Sequence, residues 1–158
     1  MKKIILITIL TLSLAITNAQ TKVYKGTSTF SRDVICNLNN NKVYKKTSSF
    51  SSNVICNVSG KKVYKGTSTF SRDVLYSISD GKVYKGTSSF SRDIVMTIKD
   101  SKIYKGTSSF SRDVIATIKS GKVYTGNSSF TSDIQFTIDG HVTIEEFVAI
   151  WYAVKYSY

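Results

Sequence analysis

The sequence predicts a mainly β protein, built as a tandem array of 20-residue β-hairpin units and closed by a C-terminal α-helix. Three observations lead to this prediction. The chain matches itself when it is shifted by twenty residues, and a fixed period of this size is typical of repeat architectures. Within each unit, apolar and polar residues alternate as they do in a half-buried strand. After Gly140 the repeat gives way to a helical pattern.

The first nineteen residues have the layout of a secretory signal peptide. Lys2 and Lys3 supply the positive start, uncharged residues follow from Ile4 to Ile16, and small residues flank the end at Ala19. Because a membrane-spanning helix needs about 20 apolar residues, we predict cleavage instead of anchoring. The mature chain would begin at Gln20, carry no transmembrane segment, and be exported to the periplasm or to the extracellular space and cell surface.

Residues 20–141 form the six units of the predicted array. In the first unit Val34, Cys36 and Leu38 are apolar and the residue between the last two is polar, which predicts a strand with one buried face. A tight turn such as Asp80-Gly81 follows, and then a short Lys-Val-Tyr-Lys strand. The longer connection reads Gly-Thr-Ser-x-Phe-Ser-Arg-Asp, whose serine and aspartate can bond local backbone groups.

Two architectures fit such units, an array of β-hairpins and a parallel β-helix. Equivalent residues of neighbouring units would lie about 10 Å apart in the first and about 4.8 Å apart in the second. The repeated lysines repel each other less at the wider spacing, so the hairpin array is favoured. Cys36 and Cys56 occupy the same position of the first two units. A disulfide between them is chemically open to an exported protein, but it needs Cα atoms within about 7 Å, which suits the β-helix.

Residues 142–158 are predicted to form a helix that caps the end of the array. Thr143 and Glu146 have the spacing of a capping box, and apolar residues then fall on one helical stripe. An atypical terminal element is what an open repeat array needs. The segment also resembles the second half of an EF-hand loop, but Gln135 and Thr137 stand where calcium requires carboxylates, so no metal site is predicted.

Repeated aromatic and basic side chains are the candidates for a binding surface. Each tyrosine follows an inward-facing valine or, at Tyr104, isoleucine, so alternation places it on the opposite face of the sheet. If that face is exposed, rings and lysines together could bind a ligand by stacking and charge; the alternative is a second packed face. The repeated phenylalanine is interpreted as core. The candidate binding residues are Tyr24, Tyr44, Tyr64, Tyr84, Tyr104, Tyr124, Lys22, Lys42, Lys62, Lys82, Lys102 and Lys122.

No catalytic residue and no cofactor are predicted. His141 is the only histidine, and neither a Gly-x-Ser-x-Gly elbow nor a phosphate-binding loop is present. The formal net charge of +12 falls to +10 without Lys2 and Lys3, which favours an acidic glycan or another polyanion as partner, nucleic acid being the less favoured one. Exposed lysines also deter edge-to-edge aggregation of sheets, so the charge alone does not decide between these roles.

The unit Lys-Val-Tyr-Lys-Gly-Thr-Ser-Ser-Phe-Ser-Arg-Asp and the ending Thr-Ile-Glu-Glu-Phe-Val-Ala-Ile-Trp-Tyr resemble short secreted bacterial tandem-repeat proteins over residues 22–158. The resemblance implies export and repetition and carries no activity with it. In architecture the hairpins are also similar to MORN repeats and to choline-binding wall repeats, without the tryptophans of the latter. The leading interpretation is therefore an exported, non-enzymatic binding or structural module. The alternatives are a self-associating structural or adhesive protein and, third, an enzyme of unknown type.

Overall fold

The computed structural model describes residues 20–157, so the predicted signal peptide over residues 1–19 lies outside the described residues. Every unit in this range has a short strand, a loop that ends in a 3₁₀ turn and a longer strand, and a tight turn joins each of the first five units to the next. The strands are β1 Thr21–Lys25, β2 Val34–Asn39, β3 Lys42–Lys45, β4 Val54–Ser59, β5 Lys62–Lys65, β6 Val74–Ser79, β7 Lys82–Lys85, β8 Ile94–Lys99, β9 Lys102–Lys105, β10 Val114–Lys119, β11 Lys122–Thr125 and β12 Ile134–Asp139. The 3₁₀ turns are Ser31–Asp33, Ser51–Asn53, Ser71–Asp73, Ser91–Asp93, Ser111–Asp113 and Thr131–Asp133, and helix α1 spans Ile144–Ser157.

The twelve strands of the described range form one closed antiparallel barrel. Each strand pairs with its neighbours in sequence, and β1 pairs with β12, where Val23 lies opposite Ile138. The predicted mainly β fold of hairpin units with a C-terminal helix is therefore confirmed, and antiparallel pairing rules out the parallel β-helix. The expected open array with two free ends is wrong, because β12 of the sixth unit pairs with β1 of the first and satisfies its backbone groups.

A β-bulge in each unit helps to curve the sheet into a ring. Cys36 pairs with Val23 and Val34 pairs with Tyr24, so Ile35 is the extra residue of the bulge. Because cross-strand partners share a face of the sheet, Val34 lies on the outer face with Tyr24, and Cys36 lies on the inner face with Val23. The prediction that residues 34 and 36 share one face is therefore corrected. A bulge bends its strand and increases the local twist, and the ring repeats this bend in all six units.

Helix α1 fills the inside of the barrel. Val148, Ala149 and Ile150 are all fully buried, although consecutive residues of a helix point about 100° apart. A helix that is buried on all sides needs a surrounding apolar wall, and inward-facing residues of all six units supply it. Barrels of about eleven strands can enclose a central helix, so twelve strands leave enough room. The helix therefore forms the centre of the core instead of covering the end of an array.

Helix α1 lies off the barrel axis, and one repeated inner position of the wall around it holds residues of different size. This position is occupied by Cys36, Cys56, Tyr76, Met96, Ala116 and Phe136. The helix lies nearest β2 to β5, where the two cysteines leave room, and the Cys56 thiol is 3.5 Å from the carbonyl oxygen of Ala149. At the last unit the larger ring of Phe136 reaches Trp151, with 6.2 Å between ring centroids.

A polar side chain on the outer face ties each unit to the next. Asn57 donates through Nδ2 to the carbonyl oxygens of Gly66 and Ser68, at 2.8 and 2.9 Å. Asn37, Ser77, Thr97 and Thr117 make the corresponding bonds in other units. The hydroxyl of Thr137 donates to the carbonyl oxygen of Gly26 at 2.7 Å and so repeats this bond across the closure of the ring.

The two ends of the barrel differ. Tight turns such as residues 40–41 join the units at one end, here called the turn end, and the six eight-residue loops lie at the other, here called the loop end. Strand β12 finishes at the turn end, so α1 enters the barrel there. Its predicted capping box is confirmed: Thr143 N donates to Glu146 Oε2 at 2.8 Å, and Glu146 N donates to Thr143 Oγ1 at 3.2 Å. The helix then runs to the loop end, where Tyr156 lies beside the first two loops.

Candidate binding surface

The loops of the loop end are held by their own hydrogen bonds. In the third unit Ser68 Oγ donates to Asp73 Oδ2 at 2.6 Å and accepts from Phe70 N at 3.2 Å. The backbone N–H of Asp73 donates to the carbonyl oxygen of Phe70 at 2.9 Å. The loop begins at Gly66, whose φ of +56° is a conformation that few side chains tolerate. Each loop therefore presents its central residue in a defined position.

The residue that each loop presents is an exposed phenylalanine. Between 63% and 73% of each ring residue is accessible to solvent, so the prediction that these phenylalanines are core is wrong. The reason is their location: they precede the 3₁₀ turn of a loop, while strand residues and α1 occupy the interior. The exposed rings are Phe30, Phe50, Phe70, Phe90, Phe110 and Phe130.

An arginine stacks on the ring in four of the six loops. The guanidinium carbon lies 5.1 to 5.3 Å from the ring centroid, within the range of a cation–π contact. The four residues are Arg32, Arg72, Arg92 and Arg112. Phe50 and Phe130, whose loops carry Ser52 and Ser132 at the arginine position, are the two most exposed rings. Each of the four loops therefore offers an aromatic face and a positive charge side by side.

Positive charge predominates at the loop end. Within residues 20–157, six exposed lysines and four exposed arginines belong to these loops and to the strand ends that precede them, against five aspartates. The lysines are Lys25, Lys45, Lys46, Lys65, Lys85 and Lys105. The aspartates are half-buried and accept the serine hydrogen bond of their own loop, as Asp33 does from Ser28. Ion pairs such as Arg32 with Asp33, at 3.8 Å between Nε and Oδ2, are exposed and contribute little. The surface can therefore attract an anionic ligand.

The tyrosines and lysines predicted to bind lie elsewhere, on the outer wall of the barrel. Tyr24 and Tyr124 are buried, and the other four tyrosines of the series are half-buried. The lysines of the series stand at the strand starts near the turn end, and five of them are half-buried while Lys82 is exposed. The two series thus form a band that is partly covered by its neighbours, and a role in binding stays a prediction.

The two cysteines are free thiols inside the barrel. Cys36 lies on β2 and Cys56 on β4, with β3 between them, which separates their backbones by two strand spacings, about 10 Å. The disulfide considered from the sequence is therefore contradicted, because its Cα atoms would have to lie within about 7 Å. Burial raises the pKa of Cys36 to about 12 and raises that of Cys56 as well. Both groups consequently stay neutral and act as small apolar side chains.

Two further structural findings concern the described residues. Over residues 20–157, no group of three histidine, cysteine, aspartate or glutamate side chains is arranged to hold a metal ion. Within the same residues, no helix combines the length and the hydropathy that crossing a membrane requires.

Sequence reasoning interpreted the loop phenylalanines as core and the Arg-Asp pairs as turn-stabilising, and it named neither as candidates for binding. A signal was present in the sequence: each phenylalanine stands among serines and threonines and just before a turn, where no alternation of apolar and polar residues continues. Such turn chemistry indicates a surface loop, and an aromatic residue in it is a candidate for contact with a ligand.

The chain matches the family model of the 6-fold beta flower protein over residues 23–151, from β1 into α1. This range covers most of the sequence, so the chain belongs to the 6-fold beta flower family. No curated protein and no solved structure matches it. The family is a structural fold that is not known as an enzyme family.

Proposed function

We propose that this 6-fold beta flower protein is an exported, non-enzymatic binding module that holds an anionic polymer of the envelope or extracellular space at its loop end. The observation that carries the proposal is the ring of exposed phenylalanines, each on a hydrogen-bonded loop and four of them stacked by arginine. An aromatic side chain that an ordered surface loop presents to solvent is a candidate for contact with a ligand.

An acidic polysaccharide has the chemistry that suits this surface. The apolar face of a sugar ring can stack on phenylalanine, as aromatic side chains provide a large apolar area. Its carboxylate or sulfate group can accept hydrogen bonds from the arginine beside that ring or from the exposed lysine that precedes the loop. A repeating polymer would meet the same pair of groups again in the neighbouring units.

Repetition provides affinity that one loop cannot supply. A single shallow contact is weak, but several contacts on one polymer convert later binding events into intramolecular ones and raise the apparent affinity by about 10²- to 10⁴-fold. We therefore expect affinity to rise steeply with polymer length until the polymer spans several loops.

The test is a binding titration with a polyuronate, using a neutral glucan of matched length as control, at several salt concentrations. We expect binding to the polyuronate that weakens with salt. A variant with all four loop arginines changed to glutamine should lose most of it, whereas Lys62→Gln with Lys82→Gln at the turn end should not. Absence of polyuronate binding at low salt would overturn the proposal. Loss of binding in the turn-end variant alone would assign the site to the outer tyrosine and lysine band instead.

Export is part of the proposal and has its own test. The motif before residue 20 supports it, and N-terminal sequencing of the protein recovered outside the cytoplasm should give Gln20 as the first residue. Recovery of the full-length chain in the cytoplasm only would contradict export.

Self-association is the second candidate, because exposed phenylalanines could also pack against another copy of the chain. The lysines and arginines of the same end would then approach like charges, which opposes a face-to-face dimer at low salt. Sedimentation at increasing concentration distinguishes the two: a strict monomer argues against assembly, and phenylalanine-dependent oligomers favour it.

A further inference from the structure

One cavity at the loop end breaks the six-fold symmetry of the barrel. It has a volume of about 450 Å³ and lies between the loops of the first and second units, where α1 leaves the barrel. Arg32, Lys45 and Lys46 line it together with Ile35 and Tyr156. Such a volume is in the range of small-molecule sites, and basic groups here surround an apolar floor.

Lys46 distinguishes this cavity from the other five boundaries between units. Glycine occupies the equivalent position in each of the other five units, as in Gly66. Lys46 has a φ of +51°, a left-handed conformation that is unfavourable for a residue with a side chain. The backbone does not need lysine there, since Lys46 N donates to the carbonyl oxygen of Ile35 just as Gly66 N donates to that of Ile55. Strain at one position of a repeat is an indication of function.

The second unit also lacks the acid that its neighbours carry. Asn53 stands at the aspartate position and donates through Nδ2 to Ser48 Oγ at 2.9 Å, so the loop keeps its shape without the negative charge. The cavity itself is lined by cationic groups of both units and by one carboxylate, that of Asp33. That carboxylate accepts a hydrogen bond from Ser28 in its own loop.

We propose that this cavity binds a phosphate monoester that carries a small apolar or aromatic group. The phosphate oxygens lie between Lys46, Lys45 and Arg32, which together can neutralise a dianion with charge-assisted hydrogen bonds. The apolar group contacts Ile35, which is 7% exposed and forms the floor, and the ring of Tyr156, which is 72% exposed. The site shares Arg32 and Lys45 with the polymer surface, but it needs only the first two units and the end of α1 instead of the repeated loops.

The test is calorimetric titration of the full mature chain with phenyl phosphate and with inorganic phosphate. We expect Lys46→Gly to lower the affinity for both ligands by about ten-fold or more, because it removes a charge-assisted hydrogen bond. The same variant should unfold at the same or a higher urea concentration, since it restores the glycine of the other units. Tyr156→Ala should weaken the binding of phenyl phosphate and leave the affinity for inorganic phosphate unchanged. Lys99→Gln, which removes one exposed charge at the turn end, is the control and should change neither affinity.

Vesicles containing phosphatidic acid, compared with neutral vesicles, distinguish a lipid headgroup from a free ester as the source of the phosphate. Lys46-dependent binding to the acidic vesicles identifies a lipid headgroup, whereas binding of phenyl phosphate without vesicle binding identifies a free ester. The proposal is overturned if the folded Lys46→Gly variant binds phenyl phosphate as tightly as the unchanged protein. It is also overturned if the unchanged protein binds neither phosphate at low salt.

Discussion

Phe130 and Phe136 are two phenylalanines of the sixth unit that lie in opposite environments, one exposed and one buried. Phe136 is fully buried and packs against Trp151, whereas Phe130 is 73% exposed at the loop end. Its loop has no arginine, so replacing Phe130 by alanine removes no cation–π contact. Its backbone hydrogen bonds do not depend on the ring. The pair therefore isolates the effect of location on a phenylalanine-to-alanine change.

The expected loss in the free energy of unfolding differs between the two variants. Phe136→Ala leaves a cavity beside α1, and we expect it to lower the free energy of unfolding by about 3–5 kcal/mol. About a quarter of Phe130 is covered, on the order of 50 Å² of apolar area, and at about 25 cal/mol per Å² its loss costs at most about 1.3 kcal/mol. The expected difference between the two variants is thus about 2 kcal/mol or more.

Urea unfolding followed by far-ultraviolet circular dichroism measures this difference, with Trp151 fluorescence as a second probe. Equal m values in both variants and the unchanged protein would show that the comparison is valid. Similar losses of stability for Phe130→Ala and Phe136→Ala would refute the assignment of the loop phenylalanines to the surface. A loss below about 1.5 kcal/mol for Phe136→Ala would refute the packed interior around α1.

The same unfolding assay checks three further predictions. Asp73→Ala should cost about 1 kcal/mol through the lost loop hydrogen bond, whereas Asp73→Asn should be nearly neutral because Asn53 already serves in the second unit; equal losses would contradict this role of the carboxylate. Asn57→Ala should cost about 1–3 kcal/mol by leaving two carbonyl oxygens without their donor, and Asn57→Thr should cost less, since Thr97 keeps one such bond. A neutral alanine variant would contradict the tie between units. Burial raises the pKa of Cys36 to about 12, so the folded thiol keeps its proton at a pH where the unfolded thiol loses it. Its contribution to stability should therefore be complete below about pH 9 and decline towards pH 12, by about 1.4 kcal/mol per pH unit. Cys36→Ala should make that decline less steep, with the buried Cys56 thiol still contributing, and an unchanged slope would contradict burial of the Cys36 thiol.

The local structure of each unit could be predicted from the sequence because neighbouring residues decide it. The turn at Asp80-Gly81 and the alternation from Cys36 to Leu38 specify hairpins, and both are present. Thr143 and Glu146 specify the start of α1, and the structure confirms the capping box.

The bulge was the local feature that the pattern concealed. Val34, Ile35 and Cys36 form three consecutive apolar residues, and a strict alternation can explain only the first and third. The structure puts the extra residue at Ile35 and turns Val34 outwards. An apolar run at the start of a strand was the available signal for a bulge, but the face of each residue depends on the partner strand.

The candidate site depended on the tertiary structure more than the fold did. The exposure of Phe70 and its equivalents follows from the direction of the loop relative to the barrel, which the composition of the loop does not state. The outer tyrosines are partly covered by neighbouring strands and loops, which a single unit does not contain. The cavity at Lys46 joins two units to Tyr156 near the other end of the chain.

By itself the sequence determined the repeat, its hairpins, the terminal helix and the positive charge, because each of these arises from residues close together in the chain. Only the tertiary structure decided that β1 pairs with β12 and that α1 lies inside the resulting ring. The physical reason is that closure depends on the summed curvature of all twelve strands and on the match between the ring's inner width and one helix. Neither quantity belongs to any single unit. Together they place the exposed phenylalanines, the loop-end lysines and the end of α1 at the same end of the barrel.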